Sequence, residues 1–287
     1  MSKGLTYLSR LRNGSDWGTD VMRYKDTAYI EYGNVKISNI GYRDVRDVLI
    51  KTIQHNERGY VCLNDVGNIY AATKDERMRS AINGSLLSLA DGAPLAWYGW
   101  MVGCKEIERI SGASLMERLL TDLTGYRHYL LGDTEQTIAK VISKARELNR
   151  GIDITGYSPP FKEFTEEDNR LIMERVRKAE PDIVWVSFGG RKQEKWMSLN
   201  VSKLDRGVMI GAGAAFKWLI GDLVAPPPIF QKIGMQFIFR LTQDLLKSPS
   251  AWLAYNRERE LLKSRMVFMA NLPQEILRAR KQLKKLM

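Results

Sequence analysis

The chain has 287 residues, 44% hydrophobic and 27% charged, with 44 Lys and Arg against 33 Asp and Glu for a net charge of +11. That length and apolar content suit one large folded core, or a core with an appendage, and exclude a disordered or fibrous chain. Cys62 and Cys104 lie far apart without paired spacing, so neither a disulfide framework nor a zinc site is expected, in keeping with a reducing cytoplasm.

Residues 1–20 carry Lys3, Arg10 and Arg12 without an apolar core, so no secretory signal is read there. No run reaches the length of a membrane span, because Asp91, Pro94, Lys232 and Gln236 interrupt the most apolar segments. Residues 28–37 alternate enough for one or two strands. Residues 42–55 are predicted helical, with Val45, Val48, Leu49 and Ile53 on one face. Short apolar strands are then predicted at 60–63, 86–89, 127–131, 152–157, 183–188 and 208–210, with helices at 114–121, 135–148, 166–179 and 192–204. Such alternation predicts an α/β, Rossmann-like, mostly parallel sheet with helices on both faces. The one boundary falls near Ala225-Pro226-Pro227-Pro228. It separates a Rossmann-like domain over 58–224, joined by an N-terminal strand and helix region over 1–57, from a basic helical C-terminal appendage over 225–287.

The charge is concentrated at the C-terminus, where twelve Lys and Arg face four Asp and Glu from Lys232 onward. On a helical projection Trp252, Tyr255, Leu262, Met266 and Met269 share a face, and after Leu272-Pro273 a second short helix presents Ile276, Leu277, Leu283 and Leu286. Helices of this kind either pack on the body with a solvated basic face or lie on an anionic membrane surface. The mixture of Trp, Tyr, Phe and Met with Lys and Arg favours the membrane. Nucleic acid is not an expected partner, since no helix-turn-helix, zinc finger or ribonucleoprotein signature occurs.

Two strand ends carry the chemistry. The first runs Pro181-Asp182-Ile183-Val184-Trp185-Val186-Ser187-Phe188-Gly189-Gly190-Arg191-Lys192-Gln193-Glu194, an apolar strand entering a glycine turn and a polar helix start. Open α/β sheets bind ligands at that edge, and the turn lets backbone approach a phosphate closely. The second ends in Asp91-Gly92 with Pro94 in the first turn of the next helix, so Asp91 either caps that helix or acts as a general base in the same cleft. Gly211-Ala212-Gly213, after a strand and before a helix, either seats an anion or allows close helix packing, and Gly132-Asp133-Thr134 is a weaker candidate of the same kind. Lys192 and Gln193 suit phosphate or uracil, or are solvated helix residues. Asn64-Asp65 suits sugar hydroxyls or a turn. His55 and His128 receive no role.

Tyr60-Val61-Cys62, Ala90-Asp91-Gly92-Ala93-Pro94-Leu95-Ala96-Trp97, Arg109-Ile110-Ser111-Gly112 with Leu115-Met116, Tyr157-Ser158-Pro159-Pro160-Phe161, Lys192-Gln193-Glu194 and Gly211-Ala212-Gly213-Ala214-Ala215-Phe216 stand in a telling order. The chain resembles the WecG/TagA/CpsF family of glycosyltransferases from about residue 58 to about residue 255. The resemblance implies an inverting transferase without metal or other cofactor, moving a sugar from a UDP-sugar onto a polyprenyl-diphosphate-linked saccharide. Such enzymes build cell-wall polymers, enterobacterial common antigen or exopolysaccharide, peripherally on the cytoplasmic face of the cell membrane.

It implies Asp91 as catalytic base, and Asn64, Asp65, Gly92, Arg109, Gly132, Lys192, Gln193, Glu194, Gly211 and Gly213 as substrate contacts. Arg240, Trp252, Arg257 and Arg265 would face membrane or acceptor, and no residue is assigned to a metal. The absence of an Asp-x-Asp pair after any predicted strand agrees. A homo-oligomer or association with other glycosyltransferases is compatible with this reading.

The chain departs from the family pattern at several places. Leu63-Asn64-Asp65 stands where members usually show Thr-Pro-Asn or Thr-Asn, Arg191 replaces the Pro before Lys-Gln-Glu, and Lys217 replaces the Asp after Gly-Ala-Ala-Phe. Ala225-Pro226-Pro227 replaces Arg-Ala-Pro, and Gln236-Phe237 replaces Glu-Trp. The donor is therefore expected among N-acetylhexosamine, hexose or uronic acid types, with added positive charge favouring an acidic sugar. A weakened member acting as a nucleotide-sugar-binding or scaffolding subunit is the alternative.

Overall fold

The computed structural model describes residues 28–189, 191–223 and 251–286, and in the last stretch side chains over 259–281. The expected boundary at 225–228 and the expected contact Arg240 lie outside the described residues, as do the side chains of Trp252 and Arg257.

Strands β1 (Tyr29–Tyr32) and β2 (Val35–Ser38) pair antiparallel. Gly33 and Asn34 turn the hairpin with φ of 56° and 64°, the left-handed pair that matches strand twist. Helix α1 (Tyr42–Gln54) follows, burying Val45, Leu49 and Ile53. A six-stranded sheet then forms from β3 (Arg58–Asn64), β4 (Leu87–Ala90), β5 (Arg127–Gly132), β6 (Asp153–Tyr157), β7 (Ile183–Ser187) and β8 (Gly207–Gly211), in the order β4-β3-β8-β7-β5-β6. Every pairing in it is parallel. Ser88 ties the hairpin to this sheet, its N–H donating to Ser38 Oγ at 3.0 Å and its hydroxyl to the Lys36 carbonyl at 2.6 Å.

The expected Rossmann-like parallel sheet is present, because its inner strands are apolar on both faces, with only the edge strand β6 largely exposed. Tyr60 and Cys62, Tyr129 and Leu131, and Val184 and Val186 pack into one core layer. Val61 and Leu63, Leu130, and Ile183 and Trp185 pack into the other. The first layer is closed by α2 (Val66–Lys74), α3 (Glu76–Asn83), α4 (Ala93–Val102), α7 (Glu166–Lys178) and α8 (Lys192–Asn200). The second is closed by α1, α5 (Gly112–Asp122), α6 (Glu135–Leu148) and α9 (Ala215–Leu219). Each fully buried aliphatic side chain contributes about 1.5–3 kcal/mol, so two closed layers supply the dominant stabilising term. The helix expected to run to residue 204 ends at Asn200 and tightens into a 3₁₀ turn over Val201–Lys203.

His128 is buried inside the sheet. Trp185 Nε1 donates to its Nδ1 at 3.2 Å, so Nε2 carries the proton and donates to the Leu123 carbonyl at 3.2 Å. Burial lowers its pKa to about 4. A neutral ring with both nitrogens satisfied is a packing element.

The C-terminal region differs from expectation. One continuous helix, α10 (Ala251–Leu286), passes through Pro273 in place of the two helices that the Leu272-Pro273 break predicts. An interior proline costs about 3 kcal/mol. Docking on both sides of it holds the axis. Phe268 stacks on Tyr32 with ring centroids 4.4 Å apart, and Tyr32 Oη donates to the Phe268 carbonyl at 3.0 Å. Beyond the proline, Ile276 packs against the core and Ala279 is buried. Leu262, Met266 and Met269, expected on the apolar face, are exposed, while Phe268 and Ser264 point inward. Phe268 finds an aromatic slot against Tyr32 and Tyr98, which a helical projection does not contain.

Candidate active site

The carboxyl ends of β3, β4, β5, β7 and β8 form one edge. From β5 the chain passes through α6 on one face, and from neighbouring β7 it passes through α8 on the other. Diverging connections of this kind open a crevice at the strand ends. Gly132 closes β5 with φ 112°, and a Cβ there would collide with the Ser187 carbonyl oxygen. Asp133 N–H donates to that same oxygen at 3.2 Å, and Ser158 Oγ donates to the Asp133 carbonyl at 2.6 Å. Lys217 Nζ, replacing the family's acid, lies 3.6 Å from Asp133 Oδ2. Lys192 is exposed and paired with Glu163 on the loop after β6. An exposed pair of this kind is worth little.

Gln193 is buried in the first turn of α8. Its Oε1 accepts the Gly213 N–H at 3.1 Å, and its Nε2 donates to Glu194 Oε1 at 3.1 Å. A Cβ on Gly211 would lie 3.0 Å from that Nε2 and 2.9 Å from Met197 Cε, so any larger residue there would have to push both side chains aside. Gly213 takes φ 53°, and its carbonyl accepts from Ser187 Oγ at 2.7 Å. The Gly211-Ala212-Gly213 turn is thus braced from two sides, with the Gly213 N–H already used. Glu194 is 1% exposed, and burial raises its pKa.

Asn64, at the end of β3, is fully buried and donates from Nδ2 to Ser88 Oγ at 3.0 Å. Asp65 caps α2, its Oδ1 accepting the Asn68 N–H at 2.8 Å. Asp91 follows β4 directly, and its N–H donates to the Asn64 carbonyl at 2.8 Å. The N-cap of α4 is Gly92 with φ 138°, and Pro94 stands in the first turn of that helix. Asp91 is half-buried. Arg109 runs beside it, because the next residue, Ile110, donates its N–H to the Ala90 carbonyl at 2.9 Å. Ser111 caps α5, and Gly112 brings that helix start against the Ala212 carbonyl.

Asn64, Asp65, Asp91, Gly92, Arg109, Gln193, Glu194, Gly211 and Gly213 therefore gather at the ends of β3, β4 and β8, while Gly132 and Lys192 sit toward β5 and β7. Arg265 is half-buried on α10, one turn beyond Leu261, whose side chain reaches Gly67 at the start of α2. Sequence reasoning missed Ser187 and Ser111, whose hydroxyls act on backbone. Their signal was position alone, a last strand residue and a helix N-cap. Arg191 has φ 63°, which the family's proline, locked near about −65°, cannot adopt. Its guanidinium and the Asp65 carboxylate both lie over Gly67. A surface hollow of about 390 Å³ at the opposite sheet edge is lined by Arg58, Arg170, Arg177 and Asp205, and Arg170 and Arg177 there are already in ion pairs with acids.

The model of the Glycosyl transferase WecG/TagA/CpsF family matches residues 30–256, beginning at the hairpin, earlier than the motifs alone suggest. A Bacillus subtilis protein named N-acetylglucosaminyldiphosphoundecaprenol N-acetyl-beta-D-mannosaminyltransferase is 26% identical over 185 residues, 64% of this chain and 69% of its own length. The protein of the same name from Bacillus spizizenii is 24% identical over the same shares. One from Staphylococcus aureus is 23% identical over 216 residues, 75% of this chain and 78% of its own. The chain belongs to the WecG/TagA/CpsF family and is a glycosyltransferase.

Proposed function

We propose that this transferase moves a sugar from a UDP-sugar onto a saccharide carried on polyprenyl diphosphate, in one inverting displacement with Asp91 as general base and without a divalent ion. The observation that carries this reading is the place of Asp91: half-buried directly after β4 at the strand edge, with its N–H on the Asn64 carbonyl and the residue after Arg109 bonded to the Ala90 carbonyl next to it. Asp91 removes the proton from the acceptor hydroxyl as that oxygen attacks the anomeric carbon opposite UDP, and a single displacement needs no covalent nucleophile. Arg109 and Lys192 balance the diphosphate charge. The relatives' name specifies an N-acetylglucosaminyl-diphosphoundecaprenol acceptor and an N-acetylmannosaminyl group, so a UDP-N-acetylhexosamine is the first donor to test.

The acceptor lipid calls for a position at the membrane surface, on its cytoplasmic face. Among the described residues no helix is long and apolar enough to cross a membrane. The outer side of α10 shows Met266 at 71% exposure and Met269 at 59%, with exposed Lys263 one turn before Met266. Exposed apolar side chains beside a cation suit an anionic lipid surface. Arg240, Trp252 and Arg257 belong to this reading by sequence position.

The test is turnover of purified protein with a panel of UDP-sugars and a short-chain polyprenyl-diphosphate-GlcNAc acceptor, with and without EDTA. Glycolipid formed equally in EDTA is the expected result. UDP bound without transfer to any acceptor would return the scaffolding alternative.

A further inference from the structure

Glu194 is among the most deeply buried ionisable side chains described, and only half of its carboxyl is satisfied. Oε1 accepts from Gln193 Nε2, while Oε2 is buried with no hydrogen-bond partner among the described residues. The groups facing it are Cys62 of β3, two residues before Asn64 on the same face of the strand, Asp65 at the cap of α2, and Arg191 and Gln193 from its own helix start. Asn64 repeats the pattern: Nδ2 is bonded to Ser88, whereas Oδ1 is buried without a donor. A buried acceptor left without a donor is costly, at about 1–3 kcal/mol. An ionised carboxylate worsens this, because it only accepts. A protonated one adds the O–H donor that this region lacks.

We propose that Glu194 works as a neutral carboxylic acid and is a positioning residue of the transferase: its Oε1 fixes the Gln193 amide, which holds Gly213, and its Oε2–H supplies the missing donor beside Asn64. Its environment agrees. Burial, the largest influence, and the Asp65 charge favour the neutral form and outweigh Glu194's own backbone N–H, the Gln193 amide and the more weakly felt Arg191. Gln193 and Asn64 both border Asp91's edge of the crevice, through Gly213 and through the Asn64 carbonyl that receives the Asp91 N–H. The proton on Glu194 thus acts at the site through other residues and touches no reacting atom.

The kinetic arm rests on the proposed sugar transfer; the stability arm needs no substrate, so the two can fail separately. Glu194→Gln retains the acceptor, stays neutral and places an N–H donor where the O–H was. A group whose folded pKa is raised stabilises below its unfolded pKa and loses that contribution as pH rises through the folded pKa. Wild type should therefore lose thermal stability relative to Glu194→Gln as pH rises above about 4.5. Glu194→Gln should keep kcat within about threefold, with the alkaline fall of kcat weakened. Glu194→Ala should lose about tenfold or more in kcat with donor KM changed far less. A stability gap between wild type and Glu194→Gln that does not vary with pH would overturn the proposal. So would Glu194→Gln as impaired as Glu194→Ala at every pH, or a fully active Glu194→Ala.

Discussion

Gln193 Oε1 accepts the backbone N–H of Gly213 at 3.1 Å, so the first turn of one helix holds the glycine turn that leaves the neighbouring strand. The contact spans β7 and β8 at the edge where the crevice opens, and it depends on Gly211 leaving room for the amide. Gln193→Ala should cost about 1–2 kcal/mol by unfolding, the loss of a buried hydrogen bond and its partner's satisfaction. It should lower kcat/KM by at least tenfold. Gly211→Ala should be as damaging, because its methyl competes with the Gln193 amide and Met197. Denaturant melts paired with kinetics check both.

Asp91→Asn keeps the size of the side chain and removes its basicity. General-base catalysis contributes about 10²–10⁴-fold, so turnover should fall by that factor while UDP affinity, read by calorimetry, stays within a few-fold. Turnover that survived the change would take Asp91 out of the role.

His128 makes acid stability predictable. Its folded pKa, about 4, lies below the unfolded value, so the neutral ring stabilises above about pH 6.5 and that contribution is lost as pH falls toward 4. The loss is on the order of 3 kcal/mol across the window. Urea melts from pH 7 to 4 should show it, and His128→Gln should flatten the slope.

Phe268 fastens α10 to the body through its stack on Tyr32 and its edge contact with Tyr98. Phe268→Ala should cost about 3–5 kcal/mol locally. Amide exchange along 259–281 should accelerate well before the sheet opens.

Met266 and Met269 are exposed, so converting both to Asp should leave the melting temperature within about a degree or two of wild type. Sedimentation with anionic vesicles should fall severalfold. Undiminished vesicle binding would remove this face from the membrane reading.

What the chain wrote locally was the architecture. Strands apolar on both faces, such as Ile183–Ser187, can be buried only between helix layers, and glycines at strand ends marked the edge where ligands bind. The Asp91-Gly92 and Lys192-Gln193-Glu194 segments were legible for the same reason: their chemistry follows an apolar run that must end at that edge. The sequence could not decide what each polar group would touch. Gln193 looked like a ligand contact, yet its amide is largely spent on Gly213 and Glu194, since a buried amide must first satisfy itself. The helix at 251–286 ran through Pro273, and turned Phe268 inward with Met266 outward, because an aromatic slot built by Tyr32 and Tyr98 from distant parts of the chain outweighed local periodicity. Periodicity measures one element alone, whereas burial is settled by the surface it meets.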